Sequence, residues 1–337
     1  VSLRTALGAL VGAALLVWLI WHAGLSAIAK AVFGLGAAGF AAVVAFQLGL
    51  IVLTGLAWAA LARGRPDSPA VRYVWGRLVR DSAGQALPFS QVGAVVLGGR
   101  ALALTGVDGA FATASTITDL AVEFTGQVAF VAVGAAVLAV LRPHDPLGPP
   151  VLGVIGALAL MAGGLVVAQY SGAPLIERLM RRFLKRQESP SGELPVAAAF
   201  ADIRRRPLAL ALAWTMHFAA WLLGAAQTWV TLRLMGVPVS LGGALVIDSL
   251  TAGAKAVGFL APGSLGVQEL ALVLLAQIFG IASPAALALS LIRRGRDLVI
   301  AVPTLAIWQA RQGARIWTLT RPEAPPTGSA PADAPAP

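Results

Sequence analysis

Residues 110–141 form an apolar run long enough to cross a bilayer with tilt to spare. In hydrocarbon such a run must satisfy its own backbone N–H and C=O groups, which a helix does. Further apolar runs cover residues 6–21, 38–62, 151–169, 207–235, 240–261, 265–281 and 284–309. The chain is 58% hydrophobic and 12% charged, where soluble domains carry about 25% charged residues. The expected fold is therefore all-α: a polytopic membrane protein of about eight transmembrane or re-entrant helical segments. Residues 1–321 are expected to form a single integral membrane domain, with halves at about 1–170 and 207–310.

The loops orient it. Arg63, Arg65, Arg72, Arg77 and Arg80 crowd residues 63–80 against Asp67, which places this loop in the cytoplasm by the positive-inside rule. The short Pro-rich stretch 141–150 is nearly neutral and reads as periplasmic. Segment 171–206 reads as a basic, amphipathic cytoplasmic linker between the halves. Arg311, Arg315 and Arg321 mark a cytoplasmic C-terminal end, followed by a Pro/Ala-rich tail, 322–337, expected to be disordered. The apolar stretch 6–21 follows Arg4, and Ala27-Ile28-Ala29 resembles a signal-peptidase site. The many spans that follow favour an uncleaved first helix. The net charge of +10 is then a loop property, with anionic headgroups rather than nucleic acid as its partner.

Two stretches interrupt the apolar pattern. GFLAPGSLGVQE at 258–269 places Pro262, Gly263 and Gly266 at membrane depth, with Glu269 just after. GQALPFSQVG at 84–93 does the same with Pro88 and Gly93. Irregular backbone at that depth is tolerated only where protein buries it or where it lines a wet cavity. Eighteen residues separate Pro88 from Gly106, and eighteen separate Pro262 from Gly280; Pro-x-Ser occurs at both breaks. The first break is entered from the cytoplasmic side and the second from the opposite side. That is the pattern of an inverted repeat with two broken or re-entrant segments meeting near the midplane. A plain inter-helix turn at Pro262-Gly263 is the bland alternative.

Ionisable residues inside spans are costly and are functional candidates by default. The first half carries Asp81, Gln85, Arg100, Asp119, Glu123 and Gln127; Asp119, Glu123 and Gln127 share one helical face. Two carboxylates on one stripe repel unless a cation or a proton sits between them, and Arg100 is the expected partner. The second half carries Asp248, Lys255, Glu269 and the cluster Arg293-Arg294-Gly295-Arg296-Asp297, in which Arg293 and Asp297 stand at i, i+4. Guanidinium groups grip phosphate bidentately. Arg100, Glu269, Arg293, Arg294 and Arg296 are thus the candidate substrate-binding residues, with Asp119, Glu123, Asp248 and Asp297 balancing charge. The bland readings are a structural ion pair at Asp119/Glu123, Lys255 snorkelling to an interface, and the arginine cluster lying in a loop.

With no cysteine and with His22, His144 and His217 far apart, no metal or cofactor site is expected. No Ser/His/Asp arrangement and no Walker A motif is present, so no enzymatic activity is expected.

Pro262-Gly-Ser-Leu-Gly-Val-Gln-Glu269 resembles the Pro-Gly-x-Leu-Gly-x-x-Glu of the membrane-domain family shared with the flippase portion of lysylphosphatidylglycerol synthases. Arg296, seven residues before Pro303, resembles that family's last span, with Pro303 expected to break it, and Leu87-Pro88-Phe89-Ser90 with Gly93 resembles its first break. Where the family often has an acid after that glycine, this chain has Ala94. The run LPFSQVG…GGRALALTGV…TDLAVEF is similar to the hopanoid-biosynthesis-associated membrane protein L subgroup. The likeness spans roughly residues 5–310. It implies translocation or handling of an amphiphilic lipid, phospholipid or hopanoid, in a bacterial inner membrane. The synthase's soluble aminoacyl-transferase domain is expected to be absent, since only the tail follows residue 321. Membrane lipids, and lipid-biosynthesis enzymes, are the expected partners. The rivals are a membrane-embedded lipid-modifying transferase and a non-transporting scaffold for lipid synthesis.

Overall fold

A computed structural model describes residues 26, 33–65, 68–86, 91–143, 148–171, 196–257 and 267–320. The span expected at 6–21, the break residues Pro88, Pro262, Gly263 and Gly266, and the tail 322–337 lie outside the described residues. Among the described residues ten helices follow one another: α1 (Gly36–Ala60), α2 (Ala70–Ala86), α3 (Gln91–Ala103), α4 (Gly109–Leu141), α5 (Gly148–Ser171), α6 (Val196–Arg204), α7 (Pro207–Leu234), α8 (Leu241–Val257), α9 (Val267–Ile278) and α10 (Ser283–Thr320). No strand occurs among the described residues. The fold is an all-α, multi-pass membrane architecture.

Helix lengths divide the chain. Among the described residues α1, α4 and α7, of 25, 33 and 28 residues, are clearly long and apolar enough to span a bilayer. By contrast α2 and α3 have 17 and 13 residues, and α8 and α9 have 17 and 12. At about 1.5 Å per residue these reach roughly 18–26 Å, short of a hydrocarbon core about 30 Å thick. In each pair the two helices pack on one another, α2 on α3 and α8 on α9. Each half is therefore a long helix, a hairpin of two short helices, and a second long helix: α1, α2–α3, α4 and then α7, α8–α9, α10. α5, of 24 residues, lies between the two halves in the chain.

Glycines and helix starts repeat with this pattern. Gly106 (φ 96°) closes the first hairpin and Gly280 (φ 74°) the second, a conformation that only glycine adopts cheaply. A shift of 174 residues carries Gly106 onto Gly280 (106 to 280) and the start of α4 onto that of α10 (109 to 283). Asp108 then caps α4, its carboxylate accepting from the Phe111 N–H at 2.8 Å. The packing repeats too: α4 lies against α8, and α10 lies against α2, so each half's last long helix supports the other half's hairpin. α1 and α7 pack on one another at the centre.

Lipid supplies no hydrophobic drive between helices, so association rests on close packing at small residues. Gly55 on α1 lets α2 approach so closely that a Cβ there would lie 2.6 Å from the Val74 Cα. Gly134 on α4 does the same for Ser249 on α8, whose Oγ would be 1.8 Å away. One apolar core gathers Trp58, Leu61, Tyr73, Leu102 and Phe111; a second gathers Leu232, Ile247, Leu250, Leu272 and Leu287 and takes in Val131 and Leu138 of α4.

Four expectations need correction. The loop expected at 63–80 is mostly helix: α2 begins at Ala70, and Arg77 and Arg80 are buried on it. Gly93 lies inside α3 rather than at a break. Pro303 does not interrupt α10, which runs through it from Ser283 to Thr320; spanning helices tolerate the missing N–H better than soluble ones do. The end of the 171–206 linker is α6, whose Val196, Ala199, Phe200 and Ile203 are buried in the first core. Asp202 on its outer face pairs with Arg65 and Arg206.

Gly55→Leu should lower the thermal unfolding midpoint in detergent, because the obstructing atom is backbone and overpacking costs about 1–3 kcal/mol. Gly49→Ala, where nothing lies within 4 Å, should leave the midpoint unchanged or raise it slightly. Equal midpoints for Gly55→Leu and the wild type would contradict the packing described.

Candidate functional site

On α2, Arg77, Arg80 and Asp81 stand at i, i+3 and i+4 and so share one face. That face meets the Asp119/Glu123 stripe of α4. Arg77 donates from both terminal nitrogens to Glu123, at 3.0 and 2.7 Å, a bidentate fork. Its Nε donates to Asp81 Oδ2 at 2.9 Å. Arg80 donates to Asp119 Oδ2 at 2.8 Å and to Glu123 Oε2 at 2.5 Å. Gly98 of α3 makes room for this arginine's stem, since a Cβ there would lie 2.6 Å from the Arg80 Cβ. His217 of α7 reaches the remaining Asp119 oxygen, Nε2 to Oδ1, at 2.8 Å. Asp119 is fully buried and His217 is 1% exposed, with Nδ1 lacking a hydrogen-bond partner among the described residues.

The second half builds a comparable network from α10. Arg293 pairs with Asp248 of α8 and bonds Thr228 of α7, whose hydroxyl also donates to Asp248 at 2.8 Å. Arg294 donates from Nε to Glu269 Oε1 of α9 at 2.9 Å, and Ser290 bonds the same oxygen at 3.3 Å. Arg296 pairs with its neighbour Asp297 and donates to Gln227 Oε1 of α7 at 2.7 Å. Gln227 in turn donates to the Val43 carbonyl of α1 at 3.0 Å.

The networks face two adjoining chambers. The smaller, about 230 Å³, is lined by charged and polar groups of both halves: Arg77, Asp81, Gln85, Glu123, His217, Gln227, Asp248, Lys255, Gln268, Arg293, Arg296 and Asp297. The larger, about 680 Å³, adds apolar walls from Ala94, Val95, Leu120, Phe124, Met161 and Ile300. Gln47, Ile51, Arg77, Asp81, Gln85, Glu123, Lys255 and Asp297 line both and so stand at their junction.

Among the residues singled out from sequence, Glu123, Asp248, Arg293, Arg296 and Asp297 line a chamber, and Asp119 lies fully buried behind Arg80. Glu269 and Arg294 pair with one another and line neither chamber. Arg100 is exposed on α3 and lines neither; Arg77 and Arg80 hold the place expected for it beside Asp119 and Glu123. Asp297 pairs with Arg296 rather than Arg293, because Asp248 and Thr228 already engage Arg293. Lys255 does not snorkel to an interface; it is half-buried and faces both chambers.

Sequence reasoning missed Arg77, Arg80, His217, Gln227 and Thr228. The first two look like loop residues because α2 is polar enough to hide its helix. Their i, i+3, i+4 spacing with Asp81 was the available signal. His217 was considered only as a metal ligand, although a histidine inside the 207–235 span is itself an intramembrane ionisable group.

Fold and site together define a multi-pass helical membrane protein whose two similarly ordered sets of helices line a shared, charged chamber. The chain belongs to the family described as the lysylphosphatidylglycerol synthase TM region, whose model matches residues 5–304. That membership makes it a membrane protein related to lipid handling. No curated protein and no solved structure matches the chain.

Asp119→Ala would leave Arg80 Nη1 and His217 Nε2 without their acceptor, and breaking a buried pair costs about 3–5 kcal/mol. Its unfolding midpoint should fall well below that of the wild type. The double variant Arg80→Met/Asp119→Leu should recover part of the loss. A single variant as stable as the wild type would show that the network does not hold α2 to α4.

Proposed function

We propose that this protein is a lipid translocase of the flippase type, moving an amphiphilic lipid between the leaflets of a bacterial inner membrane. The observation that carries the reading is the joined pair of chambers: a small polar compartment opening into a larger one with apolar walls. An amphiphile needs both, a wet charged pocket for its headgroup and an apolar space for its tails. Their combined lining comes from both hairpins and both halves, as expected for a midplane transporter site.

The ion pairs suggest how the halves move. Every Arg–carboxylate pair of the two networks joins elements of one half: α2 to α4, α10 to α8, α10 to α9. Across the seam, among the described residues, run Gln127 to the Ala252 carbonyl, Gln227 to the Val43 carbonyl, Trp221 Nε1 to the Glu123 carbonyl, and His217 to Asp119. Strong pairs keep each half rigid, while the hydrogen bonds at the seam are few and exchangeable. Rocking one half against the other would expose the chamber first to one leaflet and then to the other. The lipid leaves as it entered, with no covalent chemistry. Arg63, Arg65 and Arg72 after α1 and the basic residues at the end of α10 support a cytoplasmic position for those ends and for the C-terminus. The cargo in this reading is a hopanoid or a phospholipid, which the resemblance of LPFSQVG…GGRALALTGV…TDLAVEF to the hopanoid-associated subgroup supports, with lipid-biosynthesis enzymes as partners.

Purified protein in liposomes should therefore exchange labelled lipid between leaflets. Leu120→Trp, which fills the larger chamber without touching a charge, should slow exchange by about tenfold or more, the effect of a barrier raised by about 1.4 kcal/mol. No exchange by the wild type with phospholipid or hopanoid, or full exchange by a folded Leu120→Trp variant, would overturn the reading.

A further inference from the structure

We propose that the chamber recognises a zwitterionic headgroup, a phosphate diester carrying a primary ammonium, with the phosphate on Lys255 and the ammonium on Asp81. The inference rests on the lipid reading above and narrows its substrate class.

The charges leave one open position of each sign. Asp81, Asp119, Glu123, Asp248, Glu269 and Asp297 are matched in number by Arg77, Arg80, Lys255, Arg293, Arg294 and Arg296. All five of these arginines are held by carboxylates. Lys255 lines both chambers together with Asp297, the carboxylate whose charge acts on it, but makes no ion pair or hydrogen bond among the described residues. On the other side, Asp81 spends only Oδ2, on Arg77, and its side chain is 27% exposed. Lys255 therefore presents a free ammonium, and Asp81 a free carboxylate oxygen, at the junction of the two chambers.

The repeat explains the opposition. The same 174-residue shift that superposes Gly106 on Gly280 superposes Asp81 on Lys255 (81 to 255) and Asp119 on Arg293 (119 to 293). Equivalent places on the first hairpin helix of each half thus carry opposite charge. A ligand lying between them meets a cation from one half and an anion from the other. A zwitterion satisfies both and keeps the site neutral. An anion on Lys255 would leave the site with one net negative charge, and unbalanced charge in a low-dielectric site is costly. Gln47 and Gln85 line both chambers, and each offers an amide N–H₂ that can donate to phosphate oxygens. Tails attached at the phosphate then extend into the larger chamber.

The test measures lipid retention by the delipidated full-length protein in detergent, using native mass spectrometry. Phosphatidylethanolamine, phosphatidylglycerol and diacylglycerol of identical chains are compared, with free phosphoethanolamine as competitor. Wild type should retain phosphatidylethanolamine over the other two by about tenfold, the factor a single charge-assisted contact supplies. Lys255→Gln should bring it down toward diacylglycerol. Asp81→Asn should reverse the preference in favour of phosphatidylglycerol. Wild type that prefers phosphatidylglycerol, or folded variants with unchanged ratios, would overturn the headgroup assignment. Leaflet exchange persisting alongside such a result would leave translocation standing. Displacement by phosphoethanolamine at concentrations comparable to the lipid's would make the ligand a soluble zwitterion and overturn its lipid identity. Should a variant fail to fold, the wild-type ranking of the three lipids decides alone.

Discussion

A charge inside a bilayer has to be paired or wetted, and this protein carries many. The fork from Arg77 to Glu123, with Arg80 bridging Glu123 and Asp119, answers that constraint for the first half. It also dictates architecture. The pairs can form only if a short polar helix, α2, lies beside the long helix α4 at membrane depth. That placement is stable because α10 of the other half packs on α2 and shields it. The same requirement, met by Arg293 with Asp248 and Arg294 with Glu269, fixes α8 and α9 against α10. The hairpins are thus held by electrostatics on their inner faces and by glycine-mediated close packing elsewhere.

Symmetry then brings the networks together. The charged faces of the two hairpins converge where α1 meets α7. Neither half lines the smaller chamber alone. The equivalent positions are not copies: an acid stands in one half where a base stands in the other, at Asp81 and Lys255 and at Asp119 and Arg293. Such a site is overall balanced yet strongly polar, a setting suited to a headgroup with separated charges.

Much of this was legible in the sequence, and the reasons are specific. The long apolar runs marked α1, α4 and α7 to within a few residues, since no other element satisfies an apolar backbone in lipid. The matched Pro-to-Gly spacings located the repeat, and the positive φ of Gly106 and Gly280 gives that spacing a physical meaning. Hydropathy failed where helices are polar because protein, not lipid, surrounds them. α2 passed for a basic loop, so its two buried arginines were overlooked and Arg100 was matched to their acids. The opposite error occurred at Pro303, where a residue that breaks soluble helices sits within a spanning one. Pairings along α10 were also beyond sequence reach: Arg293 and Asp297 have the right spacing, yet Asp248 and Thr228 from other helices compete for Arg293.

The central claim is that the two hairpins, far apart in sequence, meet in one chamber. The chain contains no cysteine, so thiols can be placed at will. Gln85 at the end of the first hairpin's α2 and Gln268 at the start of the second hairpin's α9 both line the smaller chamber. The variant Gln85→Cys/Gln268→Cys should be bridged within one molecule by a short bifunctional thiol reagent. The pair Gln85→Cys/Leu208→Cys, whose second position is an exposed site on α7, should not be bridged. Failure to bridge the first pair, while each single cysteine reacts fully, would contradict a shared chamber.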